Sequence, residues 1–185
     1  MGSIPEKTTE IKSIGLKRGT VKVVDNNPNW PQEFEAEKQR LIDTFGDKIV
    51  AVEHIGSTSI LGLAAKPIID IVAAVKSFDD LPEFIDGLQK LGYEYMSDRM
   101  FDNRKFFPKG YQENRTHHLN LVLQNDPEQW MKPIAFRDYL RAHSKEREAY
   151  AKIKIALAQE YANDRATYTK LKDNFFQSII DKALS

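Results

Sequence analysis

The residues best suited to chemistry lie in a short turn and in the apolar segment that follows it. The turn comes directly after residues 49–55, where residues 49–52 and Ile55 predict a buried strand, and consists of Gly56, Ser57, Thr58 and Ser59. Its consecutive backbone N–H groups and its three hydroxyls predict a cradle for phosphate or another anion. Asp70 lies within the apolar residues 68–72, where an ionised carboxylate is costly to bury without a metal ion, a cation or water. Together they predict a phosphate-binding site beside a functional acid.

Both features also have an ordinary structural interpretation. A Gly-Ser-Thr-Ser string is common turn chemistry, and Asp70 could pair with an internal arginine instead of a metal ion. The functional interpretation is favoured because two consecutive strands would then bring the turn and the acid together.

Other side chains are candidates for the same site. Lys66 lies between the turn and the acid, so its ammonium group could neutralise a phosphate, with a solvated lysine as the alternative. His118 and Asn120 share one face of a predicted strand. His118 could therefore ligate a metal ion or act as a base, and the alternative is a hydrogen-bonded structural histidine. His117 points to the opposite face, and His54 ranks below His118 because its side chain can face away from the turn.

Two arginines in the last third of the chain could contact phosphates as well. Arg137 and Arg141 are four residues apart, which places them on one helical face where they could clamp a triphosphate. An exposed face paired with Asp138 is the alternative. Lys154 and Lys172 are weaker candidates on later helices.

Strands are predicted where short apolar or alternating segments are bounded by turn residues. These segments cover residues 21–24, 49–55, 68–72, 93–96, 104–107 and 116–122. His118 and Asn120 would share one face of the last strand, opposite to Leu119 and Leu121.

Helices are predicted from apolar residues that recur three or four positions apart. The first contains Phe34, Leu41 and Phe45, has Glu37 largely outside its apolar face, and ends at Gly46. A second runs over residues 81–91 and ends near Gly92. After Asp126, which begins a capping box, three helices are expected, the later two capped by Ser144 and Asp164.

This order of elements predicts an α/β (α+β) fold with a C-terminal helical segment. Residues 1–20 are expected to form a loosely ordered leader, and residues 21–185 a single domain. Within that domain the sheet core covers about residues 21–125 and the helices about residues 126–185.

The composition limits the classes of partner. The 185 residues carry 27 basic and 27 acidic side chains, so there is no global attraction to nucleic acid or acidic membranes. Any nucleic-acid partner would need a local patch, whereas a nucleotide or another phosphate-bearing small molecule needs only the site itself. There are no cysteines, which excludes thiol catalysis and disulfides. No apolar segment is as long as a membrane span, and we expect a cytoplasmic protein.

Four blocks of sequence resemble the GrpB family, which belongs to the nucleotidyltransferase-fold superfamily. They are residues 54–59, 63–71, 116–119 and 136–141, and Tyr168 with Lys172 fits the closing helix of the family. The resemblance extends from about Val21 to Leu184 and implies a mixed β-sheet flanked by helices. Nucleotidyltransferases in general carry a Gly-Ser turn, two acids one residue apart on the next strand, and a third acid on a later strand.

The resemblance also implies a chemistry, from which this chain departs at one position. Gly56 and Ser57 match the turn and Asp70 matches the first acid, but Val72 stands where the second acid is expected. One divalent metal ion held by Asp70 and His118 is then expected instead of two, with Mg²⁺ or Mn²⁺ as candidates and Zn²⁺ also compatible with an imidazole. The first hypothesis is transfer of a nucleotidyl group to a small acceptor. The alternative is a nucleotide- or RNA-binding module with a degenerate active site.

Overall fold

The computed structural model of the chain describes residues 14–98, 103–111 and 113–185. The helices of these residues are α1 (Trp30–Phe45), α2 (Leu81–Lys90), α3 (Lys132–Ala142), α4 (Ser144–Glu160) and α5 (Arg165–Ala183). The strands are β1 (Ile49–Ile55), β2 (Ile69–Val75), β3 (Arg104–Lys109) and β4 (His117–Leu123). A 3₁₀ turn (Ser57–Ser59) follows β1, and a π-helical turn (Pro127–Met131) precedes α3.

The four strands form one mixed sheet in the order β1-β2-β4-β3. β2 is antiparallel to β1 and parallel to β4, and β3 is the antiparallel neighbour of β4. β2 lies inside the sheet and is buried at every position except Asp70. A nearly continuous apolar sequence is expected of such a strand, so its single acid stands out.

One face of the sheet packs against α1 and α2 to form the main core. Trp30, Phe34 and Leu41 of α1 lie with Ile71 and Leu119 of the sheet. Glu37 was predicted to lie largely outside the apolar face of α1, and that prediction is wrong. It is three residues after Phe34 and four before Leu41, so it is buried, and its carboxylate accepts hydrogen bonds of 2.7 and 2.8 Å from the Nζ of Lys109.

The other face of the sheet is covered by the C-terminal helices. Ile55, Val72 and Val122 lie on this face and contact Trp130 and Ile134. A further cluster joins α3, α4 and α5 to the segment that follows the turn, through residues such as Ile60, Leu63, Phe136, Tyr150 and Ile179. The predicted α+β fold with a C-terminal helical segment is confirmed.

Three local predictions differ from the structure. Of residues 21–24, Val24 forms a single bridge to Ala65 and no strand is present. Residues 93–96 run beside β3 with one bridge, from Tyr93 to Lys109, again without a regular strand. Ser144 is the first residue of α4, and the capping position is occupied by His143, whose side chain makes no capping bond. The predicted cap at Asp164 is confirmed, because its carboxylate accepts from the Thr167 amide at 3.0 Å.

Residues 1–13 of the predicted leader lie outside the described residues. Further along the leader, Leu16 pairs with Arg115, and the Gly15 amide donates to the Pro67 carbonyl at 2.7 Å. The helices among the described residues are all too short or too polar to cross a membrane.

Candidate functional site

The parallel pairing of β2 and β4 brings Asp70 and His118 side by side. They occupy matching positions in the register, so both side chains point to the face covered by α3 to α5. His118 Nδ1 lies 3.1 Å from Asp70 Oδ1. Burial opposes ionisation of Asp70, but the hydrogen bond and charge of His118, helped by Lys172 and Lys66, lower the pKa of the carboxyl below its usual value. The acid and the histidine predicted from sequence therefore meet in one site.

Gly56 allows the turn to approach this pair closely. Its φ of 71° is in the left-handed region, which favours glycine. A Cβ added at this position would lie 2.5 Å from Asp70 Oδ2, which is closer than van der Waals contact. The backbone of the turn and the carboxylate are therefore packed directly against each other.

The hydroxyls of the turn have different partners. Thr58 Oγ1 donates to the Ile68 carbonyl at 3.3 Å and lies 3.0 Å from His54 Nε2, and Ser59 Oγ donates to the Gly56 carbonyl at 2.6 Å. Both of these residues are buried. Ser57 and Tyr150 of α4 both line the cavity described below. Fewer residues than the four predicted could therefore bind an anion through their side chains, because the side chains of Thr58 and Ser59 stabilise the turn itself.

A cavity of about 360 Å³ lies between this end of the sheet and the C-terminal helices. Its polar lining includes Gly56, Ser57, Asp70, His118 and Asn120. Its charged lining has five basic side chains against two carboxylates, namely Lys66, Arg104, Lys154, Arg165 and Lys172 against Asp70 and Asp173. An excess of positive charge in a concave site favours a polyanionic ligand.

Two of the cavity lysines have pKa values far below the usual range for lysine. Burial, followed by the nearby charges of Lys172 and Arg165, lowers the pKa of Lys66 to about 8. Burial, followed by the charges of Lys172 and Lys66, lowers the pKa of Lys154 to about 7. Asp70 favours both ammonium groups but does not offset these effects, and a bound anion would add negative charge.

The structure places Arg137 and Arg141 on the outer side of the turn, away from the residues that line the cavity. Arg137 Nη1 donates to the His54 carbonyl at 2.9 Å and to Glu53 Oε2 at 2.6 Å. Arg141 Nη2 donates to the Ser59 carbonyl at 2.8 Å. Both arginines therefore bind the backbone of β1 and the turn, and neither is brought together with Asp70.

With this geometry in place, comparison with known proteins is informative. A family model described as GrpB protein matches residues 20–182. The chain belongs to the GrpB family. The glutamate-rich protein GrpB of Alkalihalophilus pseudofirmus is 34% identical over 172 residues, which cover 91% of this chain and 99% of that protein. The UPF0157 protein YqkA of Bacillus subtilis is 36% identical over 163 residues, or 88% of this chain, but the match spans only 47% of YqkA.

Solved structures show the same fold. The crystal structure of the conserved protein GrpB from Enterococcus faecalis has a TM-score of 0.82 and 34% identity, and the match covers 88% of this chain and 97% of that one. The Cid1 poly(U) polymerase bound to MgATP has a TM-score of 0.51 at 9% identity, over 74% of this chain and 44% of that one. This GrpB-family chain therefore has the nucleotidyltransferase fold that the sequence resemblance implied.

Val72, which stands where the resemblance places a second acid, is buried in this GrpB-family chain. Val72 is 0% exposed and lies in the apolar cluster under Trp130 and Ile134. Glu53 faces Val72 from the neighbouring strand, but its carboxylate is bound by Arg137. Within the described ranges, no group of three or more His, Asp or Glu side chains forms a metal site.

Asp70 and His118 are the side chains at this corner that could hold a divalent metal ion, because a carboxylate oxygen and an imidazole nitrogen lie 3.1 Å apart beside the turn. Asn120 follows on the same face, and its Nδ2 donates to the Ile71 carbonyl at 3.4 Å. Its Oδ1 could then serve as a third metal ligand. A magnesium ion with so few protein ligands normally completes its shell with water and phosphate oxygens.

The sequence patterns did not predict that residues of α4 and α5 line the cavity. Lys154 and Lys172 were ranked as weak candidates, yet both line it together with Tyr150 and Tyr168. One signal was available, because each lysine follows a tyrosine by four residues in consecutive helices.

Proposed function

We propose that this chain binds a nucleoside triphosphate with one divalent metal ion and transfers its nucleotidyl group to a small acceptor. The observation that carries the proposal is the Asp70–His118 pair, which opens onto a cationic cavity beside the Gly56–Ser57 turn. A metal-binding acid, a phosphate-sized turn and an excess of positive charge are the components that phosphoryl chemistry requires.

Each residue then has a role that follows from its position. Asp70, His118 and the Asn120 carbonyl would hold Mg²⁺ or Mn²⁺, and the imidazole would also admit Zn²⁺. The metal ion, when bound, supplies positive charge to the phosphate oxygens. Gly56 and Ser57 would contact the phosphates through backbone and hydroxyl groups, and Lys66 would neutralise charge that develops on them.

His118 has a second role available if the metal ion binds mainly through Asp70. Its Nδ1 faces the carboxylate, so its Nε2 can accept the proton of an attacking hydroxyl. Arg137 and Arg141 would act on the phosphates indirectly, by holding the turn in place through its carbonyl groups.

The comparisons agree with this proposal at the level of fold. Cid1, whose fold this chain shares, was crystallised with MgATP, MgGTP and a UTP analogue. At 9 to 13% identity the likeness concerns architecture, so the ligand is proposed here from the cavity itself.

The alternative is a module that binds a nucleotide or RNA without transferring anything. Val72 favours it, because a second carboxylate is missing and the apolar cluster around Val72 would make an ionised one costly to bury. With one carboxylate in place of two, the site lacks the residue that would bridge a second metal ion.

The test is to measure nucleotide binding and turnover in the Asp70→Ala variant. Thermal shift and calorimetry would follow ATP, GTP, CTP and UTP with Mg²⁺, Mn²⁺ or Zn²⁺, and release of pyrophosphate would report transfer. The enzyme hypothesis expects loss of both metal-dependent binding and turnover. The binding hypothesis expects nearly intact affinity and no turnover even in the wild type.

A matched control is Asp181→Asn, which changes an exposed acid on α5 whose carboxylate only accepts from Gln177. It should behave like the wild type in both assays. If no nucleotide shifts the melting temperature with any of these metal ions, both hypotheses are wrong.

A further inference from the structure

Two tyrosine–lysine pairs face the cavity from the last two helices. Tyr150 and Lys154 are four residues apart on α4, and Tyr168 and Lys172 have the same spacing on α5. Residues at this spacing share a helical face, and all four line the cavity. The repeated pair is thus a feature of the cavity wall, separate from the strand residues that carry the acid and the histidine.

The lysines of these pairs form a charged cluster with Lys66. Lys154 is only 2% exposed, donates to the Ala64 carbonyl and lies 4.7 Å from the centre of the Tyr150 ring. Lys66 lies 5.0 Å from the centre of the Tyr168 ring. Over the part of the chain that the structure describes, none of the three lysines forms an ion pair. Burial and the neighbouring positive charges disfavour the ammonium groups of Lys66 and Lys154 more strongly than Asp70 favours them, which indicates that a further anion belongs in the cluster.

The position of this cluster relative to the turn suggests which anion. Ser57 of the turn and Tyr150 of α4 both line the cavity, so the cluster lies on the helix side of the cavity while Asp70 and His118 lie on the strand side. Transfer of a nucleotidyl group places the α-phosphate next to the metal ion. The β- and γ-phosphates would then extend past Ser57 toward the lysines.

We infer that Lys154, Lys172 and Lys66, with the Tyr150 hydroxyl, form a subsite for the two terminal phosphates of the nucleotide, which also binds inorganic pyrophosphate without a metal ion. This inference rests on the proposed function for the identity of the natural ligand. The charge that holds pyrophosphate comes from the lysines, so Asp70 is not needed for it. The carboxylate of Asp70 would repel a metal-free anion, and its removal should favour binding.

The experiment is calorimetric titration of the full chain with sodium pyrophosphate in a buffer that contains a metal chelator. Lys172→Met and Lys154→Met should each weaken pyrophosphate binding at least about tenfold, the range expected for loss of a charge-assisted hydrogen bond. Lys182→Met is the matched control, because Lys182 lies near the end of α5 and pairs with Glu146 at 3.6 Å. Asp70→Asn should bind metal-free pyrophosphate as well as the wild type or better.

Circular dichroism and thermal melting will show whether each variant is folded. If the buried Lys154 variant is unfolded, the half-buried Lys172 gives the decisive measurement. The inference is overturned if wild-type protein does not bind pyrophosphate, or if folded Lys172→Met binds it as well as Lys182→Met does. If the protein binds ATP with a metal ion despite either result, the proposed function is not contradicted. Pyrophosphate binding without any nucleotide binding would support the subsite and overturn the proposed function.

Discussion

Replacement of Arg137 by methionine should destabilise the fold more than it weakens nucleotide binding. The guanidinium group is 9% exposed and bonds to Glu53, Asp138 and the His54 carbonyl. Methionine preserves most of the packing of the side chain but none of these bonds. The variant therefore tests whether Arg137 stabilises the turn or contacts a phosphate.

The magnitude follows from the exposure of each partner. Loss of the donor to the buried His54 carbonyl should cost roughly 1–3 kcal/mol, because this acceptor is left unsatisfied. Glu53 is 37% exposed and Asp138 is 52% exposed, so water can replace the guanidinium group and each lost pair should cost at most about 1 kcal/mol. We expect a total loss of about 2–4 kcal/mol, or a melting temperature lower by roughly 5–15 °C for a chain of this size.

The assay combines urea unfolding with calorimetric titration of ATP and Mg²⁺ into the folded protein. Arg141→Met is a graded comparison, because that side chain is 45% exposed and its bonds to the Ser59 carbonyl should be worth only about 1 kcal/mol. An unchanged unfolding midpoint for Arg137→Met, with ATP affinity reduced tenfold or more, would refute the bracing role. The sequence-based prediction of a phosphate clamp would then be right.

Three further perturbations test other parts of the structure. Burial, the largest effect, lowers the pKa of both His54 and His117 to about 4, whereas the pKa of histidine in the unfolded chain is about 6.5. The stability that each neutral histidine contributes above pH 6.5 should therefore be lost as the pH falls through 4. Urea unfolding from pH 7 to 4 should show a loss of about 3 kcal/mol for each histidine, and a pH-independent midpoint would contradict this. Gly56→Ala should reduce ATP affinity and lower the melting temperature, because its Cβ meets Asp70 Oδ2; wild-type values for both would argue against the close packing. Val72→Asp should lower the free energy of unfolding by several kcal/mol without creating a second metal site; tighter Mn²⁺ binding measured by paramagnetic resonance would show otherwise.

Local sequence patterns were sufficient for most of the elements and for one corner of the site. Alternation in β4 correctly separated His118 from His117, since a strand sends adjacent side chains to opposite faces. The left-handed turn was predictable from Gly56, which lies where a buried strand ends. Residues 21–24 show the limit of such patterns, because an apolar tetrapeptide becomes a strand only when a neighbouring strand is available to pair with it.

Contacts between distant segments determined the rest of the site. Spacing placed Arg137 and Arg141 on one helical face, but it could not show which side of the turn that face would contact. Lys154 and Lys172 reach the cavity only because α4 and α5 fold back over the sheet, 84 and 102 residues after Asp70 in the sequence. Local periodicity carries no information about pairings at that separation.

The missing second acid and the lysine cluster are best understood together. A carboxylate at position 72 would be buried beneath Trp130 and Ile134, where an apolar side chain is far cheaper to accommodate. If the chain binds a triphosphate as proposed, Asp70 on the strand side of the cavity would supply negative charge for a single metal ion, and much of the charge of the triphosphate would remain unbalanced. Lys66, Lys154 and Lys172 stand where that charge would lie. Trp130 and Ile134, which cover Val72, lie on the π-helical turn and on α3, and the next two helices, α4 and α5, carry two of the three lysines that would supply positive charge in place of a second metal ion.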